Sequence, residues 1–79
     1  MVKHRWSKLT DDQHKKLVDK IGTIKTIQDE KEARIEAKYI SNFLFVLEAM
    51  GFICALEAWN YRDEIRKICR KRGMEWQFI

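Results

Sequence analysis

No proline occurs anywhere in this chain, and its only three glycines fall at positions 22, 51 and 73. Glycine and proline are the strongest local punctuators of backbone structure. A chain interrupted so rarely between Thr10 and Arg72 has few places to turn, and helices broken at those glycines are the simplest solution. The spacing predicts an all-α domain of three helices, with residues 10–22, 27–51 and 53–73 as the helical segments. Residues 1–9 form an N-terminal extension and residues 74–79 a C-terminal tail.

The local signals agree with those boundaries. Thr10-Asp11-Asp12-Gln13 is a capping-box sequence, and the two aspartates suit the positive end of a helix dipole. The first helix is expected over Asp11–Ile21, with Leu17, Ile21 and Ile24 at helical spacing and His14 and Val18 at the edge of the stripe. Gly22 reads as a soft break, and Thr26 followed by Asp29 offers a second cap. The alternative is one helix from Asp11 to Met50 in a coiled coil. Its seam would be Leu17, Ile21, Ile24, Gln28, Lys31, Ile35 and Lys38, with polar residues at three of seven positions, which argues against it. The second helix is expected over Asp29–Met50, with Gly51 as its stop. Ile35, Tyr39, Ile40, Phe43, Leu44, Leu47, Val46 and Met50 cover a wide arc of it, with Phe45 beyond. A helix so apolar is expected at the centre of the bundle, covered on more than one side. The third helix carries Ala58, Tyr61, Ile65, Ile68 and Cys69 on one stripe. The short connection at Gly51 predicts that the second and third helices form an antiparallel hairpin. Val2, His4 and Trp6, and again Met74, Trp76 and Phe78, alternate with polar residues. Those ends are read as extended tails docked on the bundle, with β-pairing between them as the other reading.

Seventy-nine residues make one small domain with a modest core. Its nine aromatic residues (three Trp, two Tyr, four Phe) exceed what such a core can readily hide. A surplus of this kind predicts a contact surface. Residues 1–20 carry six basic and three acidic side chains, residues 21–50 four and five, and residues 51–79 six and four, giving the net charge of +4. A basic surface attracts polyanions and acidic protein faces. The polar, basic start of the chain lacks a leader pattern, and the longest apolar run, Phe43–Leu47, is far short of a membrane span. The expected compartment is a reducing cytoplasm, with Cys54 and Cys69 as thiols. On one helix the two would stand about 22 Å apart.

The strongest candidate for function is a stripe on the third helix: Trp59, Arg62, Arg66 and Arg70 share one side, broadened by Lys67, Lys71 and Arg72. Arginine forks bind phosphate and carboxylate bidentately, and an indole can stack beside them. The plainer reading is that basic side chains solvate the last turns and complement the dipole, which accounts for much of the pattern unaided. Trp6 and Trp76 are the candidate aromatic anchors. A helix-turn-helix register centred on Gly51 fails on three counts: it puts Leu47 where a small residue belongs, makes Glu57 a core position, and leaves its recognition segment Phe52–Asn60 without a lysine or arginine. His4, His14, Cys54 and Cys69 lack the close pair spacings of zinc sites. Cys69 reads as a small core residue and His14 as a boundary residue. The acidic clusters sit at helix starts, no histidine is spaced to activate Cys54 or Ser41, and no glycine-rich phosphate loop occurs. No enzyme activity, metal or cofactor is therefore expected.

In size, charge and lack of catalytic motifs the chain resembles the small accessory and inhibitor proteins of phages and mobile elements, a likeness that assigns no residue a role. The expected function is that of a non-enzymatic protein-interaction module that occupies a surface on a larger partner, one that itself receives nucleic acid. The alternative is a sequence-nonspecific nucleic-acid binder that contacts the backbone through the stripe. No membrane partner is expected. Self-association as a homodimer is expected on the grounds that the second helix has more apolar girth than its neighbours can cover.

Overall fold

Thr10 opens the first helix with both halves of a capping box. Its hydroxyl accepts from the Gln13 N–H at 3.1 Å, and the Gln13 side chain accepts from the Thr10 N–H at 2.9 Å. From there a computed structural model, describing residues 7–74, shows three α-helices and no strand among the described residues. They are α1 (Asp11–Thr23), α2 (Glu30–Ala49) and α3 (Ala55–Lys71). The alternation expected at the two ends lies outside the described residues, except for Met74, which is buried.

Two expectations at the first junction are corrected. Gly22 lies inside α1, and the chain turns after it, over Ile24–Thr26. Thr26 caps nothing; its hydroxyl donates back to the Thr23 carbonyl at 3.0 Å. Asp29 is the N-cap of α2, accepting from the Lys31 N–H at 2.9 Å. The turn lands where it does because Ile24 is fully buried. Burying that side chain, rather than the conformational freedom of Gly22, sets the point at which α1 ends.

Gly51 and Gly73 close α2 and α3 in the same way. Both have positive φ, at 80° and 74°, where a Cβ would be strained. Each heads a Schellman motif: Gly51 N–H donates to the Glu48 carbonyl and Phe52 N–H to Leu47, while Gly73 N–H donates to Arg70 and Met74 N–H to Cys69. Met74 follows into the core, as the residue after such a glycine commonly does.

The core gathers Leu17, Ile21 and Ile24 from α1 and its turn, Ile40 and Leu44 from α2, and Tyr61, Ile65, Ile68 and Cys69 from α3, closed by Leu9, Ile53 and Met74. The whole expected stripe of α3 is buried. For α2 the expectation fails. Its inward face is Ala33, Ala37, Ile40, Ser41 and Leu44. Ile35, Tyr39, Phe43, Val46 and Met50, expected in the core, are 45–66% exposed. The reason lies in packing geometry. Two alanines with no exposure let the neighbouring helices approach the α2 backbone closely. With only two other helices among the described residues, nothing remains there to cover a second apolar stripe.

Polar ties join the elements. Lys20 of α1 pairs with Glu36 of α2 at 3.0 Å, and Lys8 N–H donates to the Phe52 carbonyl at 2.8 Å. Arg72 is drawn inward: its Nη1 donates to the carbonyls of Ile24, at 2.6 Å, and of Ile27. It thus caps the turn after α1 from the far end of the chain, and it does not extend the exposed basic stripe. Within the helices the i,i+4 pairs Glu30–Arg34 and Asp63–Lys67 lie at 3.4 and 3.3 Å, each contributing a few tenths of a kcal/mol at most.

Candidate interaction surface

Of the six aromatic residues among those described, only Tyr61 is buried. The other five, Tyr39, Phe43, Phe45, Phe52 and Trp59, all reach solvent. They divide between two sides of the molecule.

The first side is the outer stripe of α2. At 100° per residue, Ile35, Tyr39, Phe43, Val46 and Met50 fall together about 140° from the buried stripe. Toward α1 the stripe borders an open groove of about 410 Å³ lined by Leu9, Leu17, Tyr39, Phe43, Leu47 and Phe52. Lys16 and Lys20 stand at its rim. Each is already paired, Lys16 with Asp12 at 3.0 Å and Lys20 with Glu36.

The second side combines Phe45 of α2 with the outer side of α3. Leu56 and Trp59 are more than half exposed there, and Phe45 lies against Arg62, three residues after Trp59 on α3. The Arg62 guanidinium sits 3.9 Å from the centre of the Phe45 ring and 3.9 Å from a Glu48 carboxylate oxygen, with its side chain only 14% exposed. Its Nε and Nη2 are buried without a hydrogen-bond partner. Helical spacing puts Arg62 in an exposed stripe behind Trp59; the structure makes it a wedge between α2 and α3. Arg66 is half-buried, and Arg70 and Lys71 are exposed at the end of α3. Lys67 is exposed and pairs with Asp63. The structure therefore brings Trp59 and the basic turn to one side of α3 while taking Arg62 and Arg72 out of it. Trp6 and Trp76 lie outside the described residues.

A third feature does not follow from the motifs. Glu57 is only 2% exposed, and its Oε2 accepts from the Ser7 hydroxyl and the Tyr61 hydroxyl, both at 3.0 Å. The Tyr61 proton is committed to Glu57, so His14 Nδ1, 2.6 Å from the Tyr61 oxygen, is the donor in that contact. The cluster ties the N-terminal segment, α1 and α3 together. A signal for it is present in the sequence: carried back one turn, the Tyr61, Ile65 and Ile68 stripe lands on Glu57. The same observation removes one objection to a helix-turn-helix, since Glu57 is a core position. The decisive one remains, because Ala55–Tyr61, the start of α3, contains no lysine or arginine.

Burial, the hydrogen bond to Glu57 and the charge of Glu57 together raise the Tyr61 phenol well above its ordinary value of 10.0. The unfolded chain releases this proton near pH 10 and the folded chain keeps it. Tyr61 therefore contributes its full stabilisation below pH 10, and the contribution falls by about 1.4 kcal/mol per pH unit above it. Tyr61→Phe should be less stable near neutrality by about 1–2 kcal/mol, because Glu57 loses a donor. It should also lose less stability than the wild type between pH 10 and 11. Urea unfolding at pH 8, 10 and 11 checks this; parallel losses in the two proteins would contradict it. Burial likewise raises the Cys69 thiol, opposed by the positive charges of Arg72 and Arg34.

Among the described residues no group of three His, Cys, Asp or Glu is placed to hold a metal ion, and no helix is long and apolar enough to cross a membrane. No protein-family model matches the chain, and no curated protein or solved structure is significantly similar to it.

Proposed function

We propose that this protein is a non-enzymatic interaction module that binds a larger protein through the outer side of α3. The contact would centre on Trp59 and Leu56, with Phe45 of α2 and a basic margin of Arg66, Arg70, Lys67 and Lys71. The observation that carries this reading is the exposure of Trp59, at 51%, on the same helix as the exposed Leu56, with Phe45 of α2 exposed as well. Tryptophan and arginine dominate the energetics of protein interfaces, and a large aromatic left in water beside cations is the pattern of an unfilled contact. A basic margin favours an acidic partner surface, including one that otherwise receives nucleic acid. Small size and basic charge fit an accessory or inhibitor protein of a phage or mobile element, acting in a reducing cytoplasm. The platform is an antiparallel α2–α3 hairpin, a reading supported by the contact of Arg62 with Phe45 and Glu48 and by the influence of Arg34 on Cys69.

The second reading, nonspecific nucleic-acid binding through Arg66, Arg70, Lys67 and Lys71, is favoured by the exposure of Arg70 and Lys71 on one turn. It is weakened by Arg62 and Arg72, whose guanidinium groups are engaged within the chain.

One set of co-purifications from the native host tests both readings, using as baits the wild type, Leu56→Ser/Trp59→Ala, and Arg70→Ala/Lys71→Ala. A protein retained by the wild type and lost with Leu56→Ser/Trp59→Ala is the expected result. Recovery of the same proteins by all three baits would end the α3 assignment. In parallel, duplex and single-stranded DNA and RNA are titrated at low salt. Binding whose logarithm falls linearly with the logarithm of salt concentration would establish the second reading instead.

A further inference from the structure

We propose that the exposed stripe of α2 is covered by the same stripe of a second copy, with the two α2 helices antiparallel across a two-fold axis beside Phe43. Three features of the stripe point to this occupant.

The first is register. In an antiparallel pair centred between Asn42 and Phe43, Ile35 faces Met50 of the other copy and Tyr39 faces Val46. Phe43 packs against its own counterpart near the axis. Every large side chain of the stripe meets another, and none is left over. A closed two-fold contact demands this self-complementarity, since the same patch must serve both subunits.

The second is charge. The chain carries a net charge of +4, so two copies repel unless their contact avoids the charged surface. From Tyr39 to Met50 the only charged residue is Glu48, which is turned toward Arg62 of α3. The stripe is a long side of α2 where two basic proteins can meet without opposing like charges. Lys16 and Lys20 at the rim of the adjoining groove are already paired with Asp12 and Glu36 of their own chain.

The third is area. An aromatic side chain has roughly 150–250 Å² to bury. Five large side chains each about half exposed offer about 500 Å² per copy and about 1,000 Å² for the pair, the lower bound of a specific interface. The groove beside Tyr39 and Phe43 lies under the same contact and adds to it.

The orientation makes the test specific. Tyr39→Lys and Val46→Glu each place a charge where the other copy presents an apolar side chain. Each should weaken dimerisation by roughly a hundredfold, as measured by sedimentation equilibrium. In the double variant Tyr39→Lys/Val46→Glu, the introduced ammonium of each copy meets the introduced carboxylate of the other, twice per dimer. Association should then recover by about tenfold or more over either single variant. A parallel pair would set like charges together and would not recover. Circular dichroism of each variant monitors the fold, and Phe43→Ser provides a second, uncharged disruption of the same contact. A wild type that remains monomeric at about 100 µM, or a dimer that all four variants leave intact, overturns the proposal. So does a dimer weakened by the single variants but not rescued by the double. The α3 contact is judged separately by the co-purification with Leu56→Ser/Trp59→Ala, so the failure of one reading does not decide the other.

Discussion

Leu44→Ala should cost about 3–4 kcal/mol, whereas Phe43→Ala, the adjacent residue with the larger side chain, should cost only about 1–2 kcal/mol. Leu44 has no solvent exposure and belongs to the shared core of the three helices. Truncating it removes the transfer energy of the lost methyl groups and leaves a cavity that the surrounding helices fill only in part. A chain of this length has about 4–12 kcal/mol of stability in total. The loss is therefore a large share of the whole and should shift the urea midpoint by about 2–3 M at the m-value of a small domain. Phe43 is 45% exposed on the outer stripe. Its truncation removes only the half of the side chain that the monomer covers, about 100 Å², and leaves no enclosed cavity, so the cost is about half that of Leu44→Ala or less. The comparison is made at protein concentrations low enough to keep the chain monomeric. Equal losses for the two variants would mean that the second stripe of α2 is packed in solution and that the assignment of its faces is wrong.

Arg72→Ala should cost about 2–4 kcal/mol, far more than Arg70→Ala two residues earlier, which should stay within about 0.5 kcal/mol. The Arg72 Nη1 group donates both of its protons to the carbonyls of Ile24 and Ile27. These acceptors lie where α1 has ended and the backbone cannot satisfy them. Hydrogen bonds from a charged donor contribute about 1.5–3 kcal/mol, and removing the donor leaves two acceptors at a turn whose Ile24 side chain is fully buried. Arg70 is exposed and its loss changes mainly the solvated surface. Arg72→Lys keeps the charge without the planar fork and should restore only part of the loss. Amide exchange over Ile24–Ile27 gives a local check. Protection there should fall in Arg72→Ala beyond the global loss of stability, and a uniform change across the three helices would show that Arg72 is not a cap.

These two contrasts mark the division between what can be read along the chain and what cannot. Thr10 and Gln13 form their capping box, Asp29 caps α2, and Gly51 and Gly73 take positive φ. Each depends on neighbours within four or five residues, so the local sequence determines it. The α3 stripe is legible for the same reason: it is the single apolar side of that helix, and only one orientation buries it. Carried one turn further it also names Glu57, which charge alone argues out of the core.

The face of α2 is not legible. That helix has two apolar stripes, one of large side chains and one built around Ala33, Ala37, Ile40 and Leu44. Hydrophobicity favours the first, whereas close packing of two neighbouring helices favours the second, and no local rule weighs these against each other. Arg62 and Arg72 are misplaced by periodicity for a related reason. Arg62 meets Phe45 and Glu48 of α2, and Arg72 meets carbonyls 48 and 45 residues away along the chain. Helical periodicity shows which side of a helix a residue occupies but not which distant group meets it there. The sequence by itself determined three helices, the Thr10 capping box, the glycine stops of α2 and α3 and the inward side of α3. Only the tertiary structure decided which side of α2 stays in water and which cations are engaged inside the fold, because both depend on contacts between segments that are remote in sequence.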